Sequence, residues 1–253
     1  MRIKILSLIM ILAMCFAVLF SCQKKDVGSA DLTVGEIEKP LAVSAVAEPV
    51  TSLSTEKERG RLVYQRCLPC HGDKAQGNFE IKAAPLAQQS TVYLRDQLHK
   101  FQKGLRGGDE IMDPTGFLMA TQAKSLSEEQ IEDVLSYIAD FKAEDNTTKR
   151  LHGNVDRGKE LYDATYCDAC HGVKGEGNTA MKAPLLHMLE DWYVNDQLIK
   201  FSRGIRGAHM TKDPAGYQMS QWVIGRMVTP REIKDLSSYI QTLPTQDKGL
   251  VKK

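Results

Sequence analysis

Two cysteine–histidine motifs stand far apart in this sequence. The first is CLPCHG at residues 67–72, and the second is CDACHG at residues 167–172. Three kinds of chemistry use such a cluster: a metal clip, a redox-active dithiol, and covalent attachment of haem. Because the motif occurs twice in the same order, a single chemistry should explain both copies.

The surroundings of the motifs favour haem. A thioredoxin-like dithiol is typical of an α/β fold with a strand before the motif, and the sequence has no strand pattern there. Structural zinc sites join cysteine pairs separated by about 15–20 residues, whereas these pairs lie nearly one hundred residues apart. Covalent haem uses every residue of the motif, since the cysteines bond to the vinyl groups and the histidine binds iron. We therefore predict two haem c groups attached at Cys67, Cys70, Cys167 and Cys170 and bound by His71 and His171; zinc and disulfides remain the alternatives.

An internal repeat surrounds the motifs. The segment YLRDQLHKFQKGLRG (93–107) aligns with YVNDQLIKFSRGIRG (193–207), and DPTGFLM (113–119) aligns with DPAGYQM (213–219), at the same offset as the motifs. Two slips are expected elsewhere: GNTAMKAPL is one residue shorter than GNFEIKAAPL, and GKELYDATYC is two residues longer than GRLVYQRC. The halves are therefore interpreted as duplicates of one domain.

The repeat also selects a second iron ligand. Met119 and Met219 occupy equivalent positions, each 48 residues after its motif histidine, whereas Met210 aligns with Glu110. A duplicated domain should keep its ligand in an equivalent place, so we predict Met119 and Met219. His209 and Met210 remain alternatives for the second iron.

Local signals predict an all-α fold, with three or four short helices and long loops in each half around a group that fills the centre. The expected helix starts are Thr55-x-x-Glu58, Thr91, Asp191, Ser127-x-x-Gln130 and Thr229-Pro230-x-Glu232, and the middle helices should end at Gly104 and Gly204.

The N-terminal segment predicts export. Arg2 and Lys4 precede an apolar run that closes with Leu19-Phe20-Ser21-Cys22. This ending resembles a bacterial lipobox, in which the cysteine is acylated, so Cys22 is the predicted lipidation site. A cleaved soluble protein and an uncleaved anchor are the alternatives, and all three place the folded part outside the cytoplasm.

The predicted organisation has five parts: a signal peptide at 1–22, a flexible tether at 23–55, domains at 56–147 and 148–245, and a tail at 246–253. The 33 lysines and arginines nearly balance the 32 aspartates and glutamates. This balance argues against a nucleic-acid partner.

The order of motifs resembles class I cytochrome c. It runs C-x-x-C-H-G, G-N, P-L, Y-x-x-D-Q-L-x-x-F-x-x-G-x-R, M and a helix with S-Y-I, across about residues 56–245. The tandem arrangement is similar to the two-haem cytochrome c4 group and its single-haem c553 relatives. The resemblance implies two tandem all-α domains, in which Gly60 and Gly158 let the first helix cross the last near Tyr137 and Tyr239. It also implies that the carbonyls of Pro85 and Pro184 orient His71 and His171.

The function implied by the resemblance is electron transfer between membrane-bound respiratory complexes, such as a quinol-oxidising complex and a terminal oxidase or reductase. The expected location is the periplasmic side of a bacterial membrane. Arg106 and Arg206 are candidates to bind haem propionates, with a solvated arginine as the alternative. The rival interpretation is an enzyme or enzyme subunit of the thiosulfate dehydrogenase or peroxidase type, or an electron-entry subunit of a larger oxidoreductase.

Overall fold

The computed structural model describes residues 55–142, 150–226 and 229–244. The predicted signal peptide with Cys22, the tether up to residue 54 and the whole predicted tail lie outside these residues. The first half of the described chain contains α1 (Glu56–Tyr64), α2 (Leu68–His71), α3 (Thr91–Gln102), α4 (Pro114–Lys124) and α5 (Glu128–Ile138). The second half contains α6 (Val155–Ala164), α7 (Asp168–His171), α8 (Asp191–Ser202), α9 (Pro214–Arg226) and α10 (Pro230–Ile240). The expected all-α class is confirmed.

Helix α4 and its equivalent α9 were missing from the expected arrangement of three or four helices. Each begins at the D-P pair: the side chain of Asp113 accepts a 2.9 Å hydrogen bond from the N–H of Gly116, and Asp213 accepts one of 2.9 Å from Gly216. An aspartate N-cap followed by proline at the first helical position is a strong helix start. The two predicted methionine ligands therefore lie on helices rather than in loops.

The last helix of each half begins where the sequence indicated. Ser127 and Gln130 form the reciprocal hydrogen bonds of a capping box, and Thr229 caps α10 with Pro230 at its first position. Thr55 likewise caps α1.

The predicted starts of the middle helices were wrong by one residue. Ser90, not Thr91, caps α3, because its hydroxyl accepts from the N–H of Tyr93. The residue before α8 is Glu190, and the carboxylate of Asp191 instead accepts from the backbone N–H groups of Arg150 and Leu151 at 3.1 and 2.8 Å.

The middle helices end as expected. Gly104 and Gly204 follow the C-cap residues and have φ of 67°. This left-handed conformation costs a glycine little and most other residues more.

The crossing of the first and last helices depends on glycine. A Cβ atom on Gly60 would lie 1.9 Å from the carbonyl oxygen of Asp133, and one on Gly158 would lie 2.1 Å from that of Asp235. Both positions also approach the Cβ of Tyr137 or Tyr239, at 2.9 and 2.7 Å. The crossing implied by the resemblance is confirmed in both halves.

A tyrosine on the first helix of each half is hydrogen-bonded to the end of the cysteine–histidine motif. The hydroxyl of Tyr64 donates to the carbonyl of Gly72 at 2.7 Å, and Tyr162 donates to Gly172 at 2.6 Å. Both tyrosines are 1% exposed. Because Gly72 and Gly172 directly follow the motif histidines, these bonds fix each motif to the helical core.

Candidate haem sites

Each motif forms one short helix that points its histidine inward. His71 ends α2 and His171 ends α7, and both are 8% exposed. Behind each histidine the chain turns through a glycine with positive φ, 82° at Gly72 and 79° at Gly172. The histidine carbonyls then accept the N–H of Gly77 at 2.9 Å and of Gly177 at 2.8 Å. The two motif loops are thus closed in the same way.

The histidine rings are oriented by backbone carbonyls. The Nδ1 of His71 lies 2.8 Å from the carbonyl oxygen of Ala84, and that of His171 lies 3.2 Å from the carbonyl oxygen of Pro184. Such a bond fixes the ring and leaves Nε2 as the atom that can bind a metal. Burial lowers the pKa of both histidines, which favours the neutral form that binds metals.

The expected role of Pro85 was therefore wrong, whereas that of Pro184 is confirmed. The prediction paired Pro85 with Pro184 because it assumed that the second copy is one residue shorter at this point. Paired bridges between Asn78 and Ala83 and between residues 178 and 183 show that the offset of one hundred continues unbroken. Ala84 is thus the equivalent of Pro184. A backbone carbonyl can accept the hydrogen bond from the histidine ring whatever side chain the residue carries.

A cavity in the second half brings the predicted ligands together. Its lining includes Cys167, Cys170, His171 and Met219. The two alternatives are displaced from it, since Met210 is 61% exposed and His209 is also exposed. In this half the geometry favours the methionine that the repeat selected.

The equivalent residues of the first half have similar positions. Met119 on α4 packs against Phe101, Ala120 and Ala123, whereas Met112 is 54% exposed. None of the four motif cysteines forms a disulfide within the described residues, so all four sulfurs can bond to haem. Thiols, a buried imidazole and a thioether around an apolar space fit haem c, so the donor set agrees with the predicted cofactor.

The two arginines lie between the halves. Arg106 and Arg206 are 8% and 7% exposed. Arg106 donates to the hydroxyl of Tyr193 at 2.7 Å and to Oε1 of Gln197 at 2.9 Å. Arg206 makes the mirrored bonds, which are to Tyr93 at 3.0 Å and Gln97 at 2.8 Å. A simple solvated role is therefore wrong for both arginines, and their contact with propionates stays a prediction.

Two lysines at equivalent positions of the repeat also lie in this interface, and Lys182 of the second half adds a 2.7 Å contact to Asp96 of the first. Lys100 lies 2.5 Å from Asp96 of its own half and 2.8 Å from Asp213 of the other half. Lys200 repeats the pattern, at 2.7 Å from Asp196 and 2.9 Å from Asp113. Our sequence analysis assigned no role to the tyrosines, glutamines, lysines and aspartates of this interface. Their identity in both copies of the repeat was the available signal.

One interface contact has no counterpart. The side-chain amide of Gln89 donates to the carbonyl of Leu185 at 2.9 Å and accepts from its N–H at 2.9 Å. The residues one hundred positions away are Leu189 and Pro85, which lack this amide and this N–H. Leu185 follows Pro184, so the first half fixes the backbone beside His171, and the second half has no equivalent pair of groups beside His71.

Tandem all-α domains, each with a C-x-x-C-H helix and a buried histidine, define a two-haem c-type cytochrome. Residues 57–142 and 155–244 each match the family described as cytochrome c. The chain belongs to the cytochrome c family and carries two haem c groups.

The similar proteins include cytochromes c4 from two Pseudomonas species. Cytochrome c4 from Pseudomonas aeruginosa is 30% identical over 183 residues, which cover 70% of this chain and 83% of that protein. The structure of reduced cytochrome c4 from Pseudomonas stutzeri superposes with a TM-score of 0.58 at 25% identity, over 74% of this chain and 98% of that one.

A thiosulfate dehydrogenase is also similar in fold. The as-isolated structure from Marichromatium purpuratum gives a TM-score of 0.58 at 24% identity over 74% of this chain. The match spans 40% of the dehydrogenase chain, and at this identity the likeness concerns the fold alone. In the described part of our chain, every helix is too short or too polar to cross a bilayer.

Proposed function

We propose that the protein is a membrane-tethered electron carrier, which passes electrons between respiratory redox proteins through two haem c groups with histidine and methionine ligands. The observation that carries this proposal is the cavity in which His171 and Met219 lie together with both motif cysteines of the second half. The similarity to cytochrome c4 supports it.

The residues have the following proposed roles. Cys67, Cys70, Cys167 and Cys170 hold the haems covalently, and the axial ligands are His71, Met119, His171 and Met219. A haem with histidine and methionine ligands exchanges one electron with little rearrangement, and its thioether ligand favours the ferrous state. The carbonyls of Ala84 and Pro184 hold the histidine rings in place, so that Nε2 of each ring would bind the iron of its haem. With a methionine as the second ligand, no position on either iron would be left for a small molecule.

The interface between the halves supports electron exchange within the chain. The second-half cavity is lined in part by Tyr93, Gln97 and Lys100 of the first half, so the cofactor space reaches the boundary. Arg106 and Arg206 are buried there with neutral oxygens as hydrogen-bond acceptors. Buried guanidinium groups favour carboxylate partners, and this supports the proposed propionate contacts.

The proposed location is the periplasmic side of a bacterial membrane, with Cys22 as the lipid attachment point. The proposed partners are a quinol-oxidising complex and a terminal oxidase or reductase. Intact-mass spectrometry of membrane-extracted protein should show a mature chain that begins at an acylated Cys22. A mature N-terminus without lipid would remove the anchor from the proposal.

The rival proposal of a dehydrogenase or peroxidase requires an iron position that a small molecule can occupy. Carbon monoxide tests this in the reduced holoprotein, because it binds ferrous haem only where an axial position is open or easily vacated. We expect the reduced spectrum to stay unchanged under carbon monoxide at neutral pH. Stoichiometric binding at either haem would instead favour the enzyme.

A further inference from the structure

Lys100 and Lys200 each contact an aspartate of the opposite half. The Nζ of Lys100 in the first half lies 2.8 Å from Oδ1 of Asp213, and Lys200 in the second half lies 2.9 Å from Oδ1 of Asp113. These aspartates cap the helices that carry the methionines. We propose that Lys100 positions Met219 and Lys200 positions Met119, so that each half supports the methionine ligand of the other; this rests on the ligands assigned in the proposed function.

The crossed pairs are buried. The lysine side chains are 11% and 12% exposed, and the carboxylates of Asp113 and Asp213 are 4% exposed. A buried carboxylate without a positive partner is costly. The lysine supplied by the other half therefore stabilises each cap aspartate as an anion.

The same oxygen makes both contacts. In Asp213, Oδ1 accepts the N–H of Gly216 and also meets Lys100, and Oδ1 of Asp113 does the same with Gly116 and Lys200. A lysine that moves away therefore disturbs the oxygen that starts the helix. Helices α4 and α9 contain a glycine in their first turn, Gly116 and Gly216. Glycine has low helix propensity, so the start of each helix depends on its cap.

The start of the methionine helix also packs tightly against the interface. A Cβ on Gly107 would lie 2.0 Å from the carbonyl oxygen of Gly116, and one on Gly207 would lie 2.2 Å from that of Gly216. These glycines directly follow Arg106 and Arg206. A shift at the interface therefore reaches the first turn of α4 and α9, and the methionine lies one turn further along the same rigid element.

The test uses backgrounds in which one methionine remains. The oxidised Met119→Ala protein keeps the red-region band of methionine ligation only from the second haem, and Met219→Ala keeps it only from the first. Imidazole displaces a methionine ligand and removes this band, and its apparent affinity rises as the ligand detaches more often. Loss of the band during imidazole titration thus reports how firmly the remaining methionine is held.

We expect a crossed result. In the Met119→Ala background, Lys100→Gln should raise the apparent imidazole affinity roughly three- to tenfold, as expected for a weakened helix cap, whereas Lys200→Gln should leave it unchanged. In the Met219→Ala background the two substitutions should exchange effects. Equal effects of both lysines in both backgrounds, or none, would overturn the proposal.

A second variant distinguishes loss of the Lys100–Asp213 pair from a general loosening of the interface. Asp213→Asn keeps a side chain that caps helices well but removes the charge that faces Lys100. In the Met119→Ala background it should reproduce the effect of Lys100→Gln, and the double variant should add little to either single one. Fully additive effects would show that the pair does not act together, and would contradict the proposal.

The proposed function and this inference fail in different ways. If the oxidised parent protein lacked the red-region band, the methionine ligands themselves would be wrong, and the inference would fall with them. If the band is present and disappears from the expected haem in each methionine variant, the ligands stand. The lysine titrations then decide the inference alone.

Discussion

Gln89 and Leu185 belong to different halves and exchange two hydrogen bonds of 2.9 Å. The first half thereby fixes the backbone next to Pro184, whose carbonyl accepts the Nδ1–H of His171. Although the two halves are duplicates, this contact makes their histidine environments unequal.

Gln89→Ala should therefore change the second haem alone. Without the amide, the backbone beside Pro184 is held less firmly and the hydrogen bond to His171 weakens. A weaker bond makes the imidazole a poorer donor, so the midpoint potential of the second haem should rise while that of the first stays unchanged. Spectroelectrochemical titration measures both. Gln122→Ala, at an exposed position of α4, is the control, and equal shifts of both haems would contradict this explanation.

The methionine ligands are tested by substitution. Met119→Ala or Met219→Ala should each remove about half of the red-region band of the oxidised protein, because each removes one of two thioether ligands. Each should also lower the potential of its own haem. Met112→Ala and Met210→Ala are matched controls at positions 54% and 61% exposed, and both should keep the full band. If Met210→Ala lost half of the band, Met210 and not Met219 would be the ligand of the second haem.

The helix crossing should be sensitive to a single methyl group. Gly60→Ala and Gly158→Ala place a Cβ against a backbone carbonyl and should reduce the free energy of unfolding by roughly 2–4 kcal/mol. Gly225 on α9 has open space around its Cβ position. Gly225→Ala should therefore be neutral or stabilise by about 0.5–1 kcal/mol. Chemical denaturation of the holoproteins provides these values. If Gly60→Ala were as stable as the parent protein, the two helices could move apart enough to accept the methyl group.

The interface should weaken in acid. Burial acts to raise the pKa of Asp96, but hydrogen bonds from Lys100 and Lys182 outweigh it and hold the pKa below its usual value. A lowered pKa contributes stability at pH values above the unfolded pKa of about 4, and this contribution is lost as the pH falls through the folded value. Asp96→Asn should therefore lose stability at neutral pH and show a shallower decline below about pH 4. If stability fell with pH in Asp96→Asn as steeply as in the parent protein, the ion pairs of Asp96 with Lys100 and Lys182 would not contribute to stability.

The sequence predicted the parts of the site that depend on residue type at fixed local spacing. The motif cysteines and histidines and the capping box at Ser127 could be inferred because local chemistry dictates them, whereas the crossing glycines followed only from the resemblance to class I cytochrome c. Met219 could be selected because duplication preserved its position, and the cavity beside His171 agrees with that choice.

Other features depend on contacts that no local pattern encodes. The carbonyl that orients His71 belongs to Ala84. Any residue type can supply a backbone acceptor, so the sequence did not identify Ala84 and the prediction paired Pro85 with Pro184 instead. Arg106 reaches Tyr193 across the interface, and only the packing of the two halves determines this partner. The partners of Lys100 and Lys200 in the opposite half could not be predicted either, although both copies of the repeat carry a lysine at this position.

We propose that this protein carries electrons and does not turn over a small substrate. The most direct measurement follows the haem spectrum of reduced holoprotein mixed with peroxide, and of oxidised holoprotein mixed with thiosulfate, with and without respiratory membranes. We predict slow spectral change with either small molecule alone, and rapid oxidation of the reduced protein only when membranes with a terminal oxidase are present. Rapid turnover of peroxide or thiosulfate without membranes would contradict the claim.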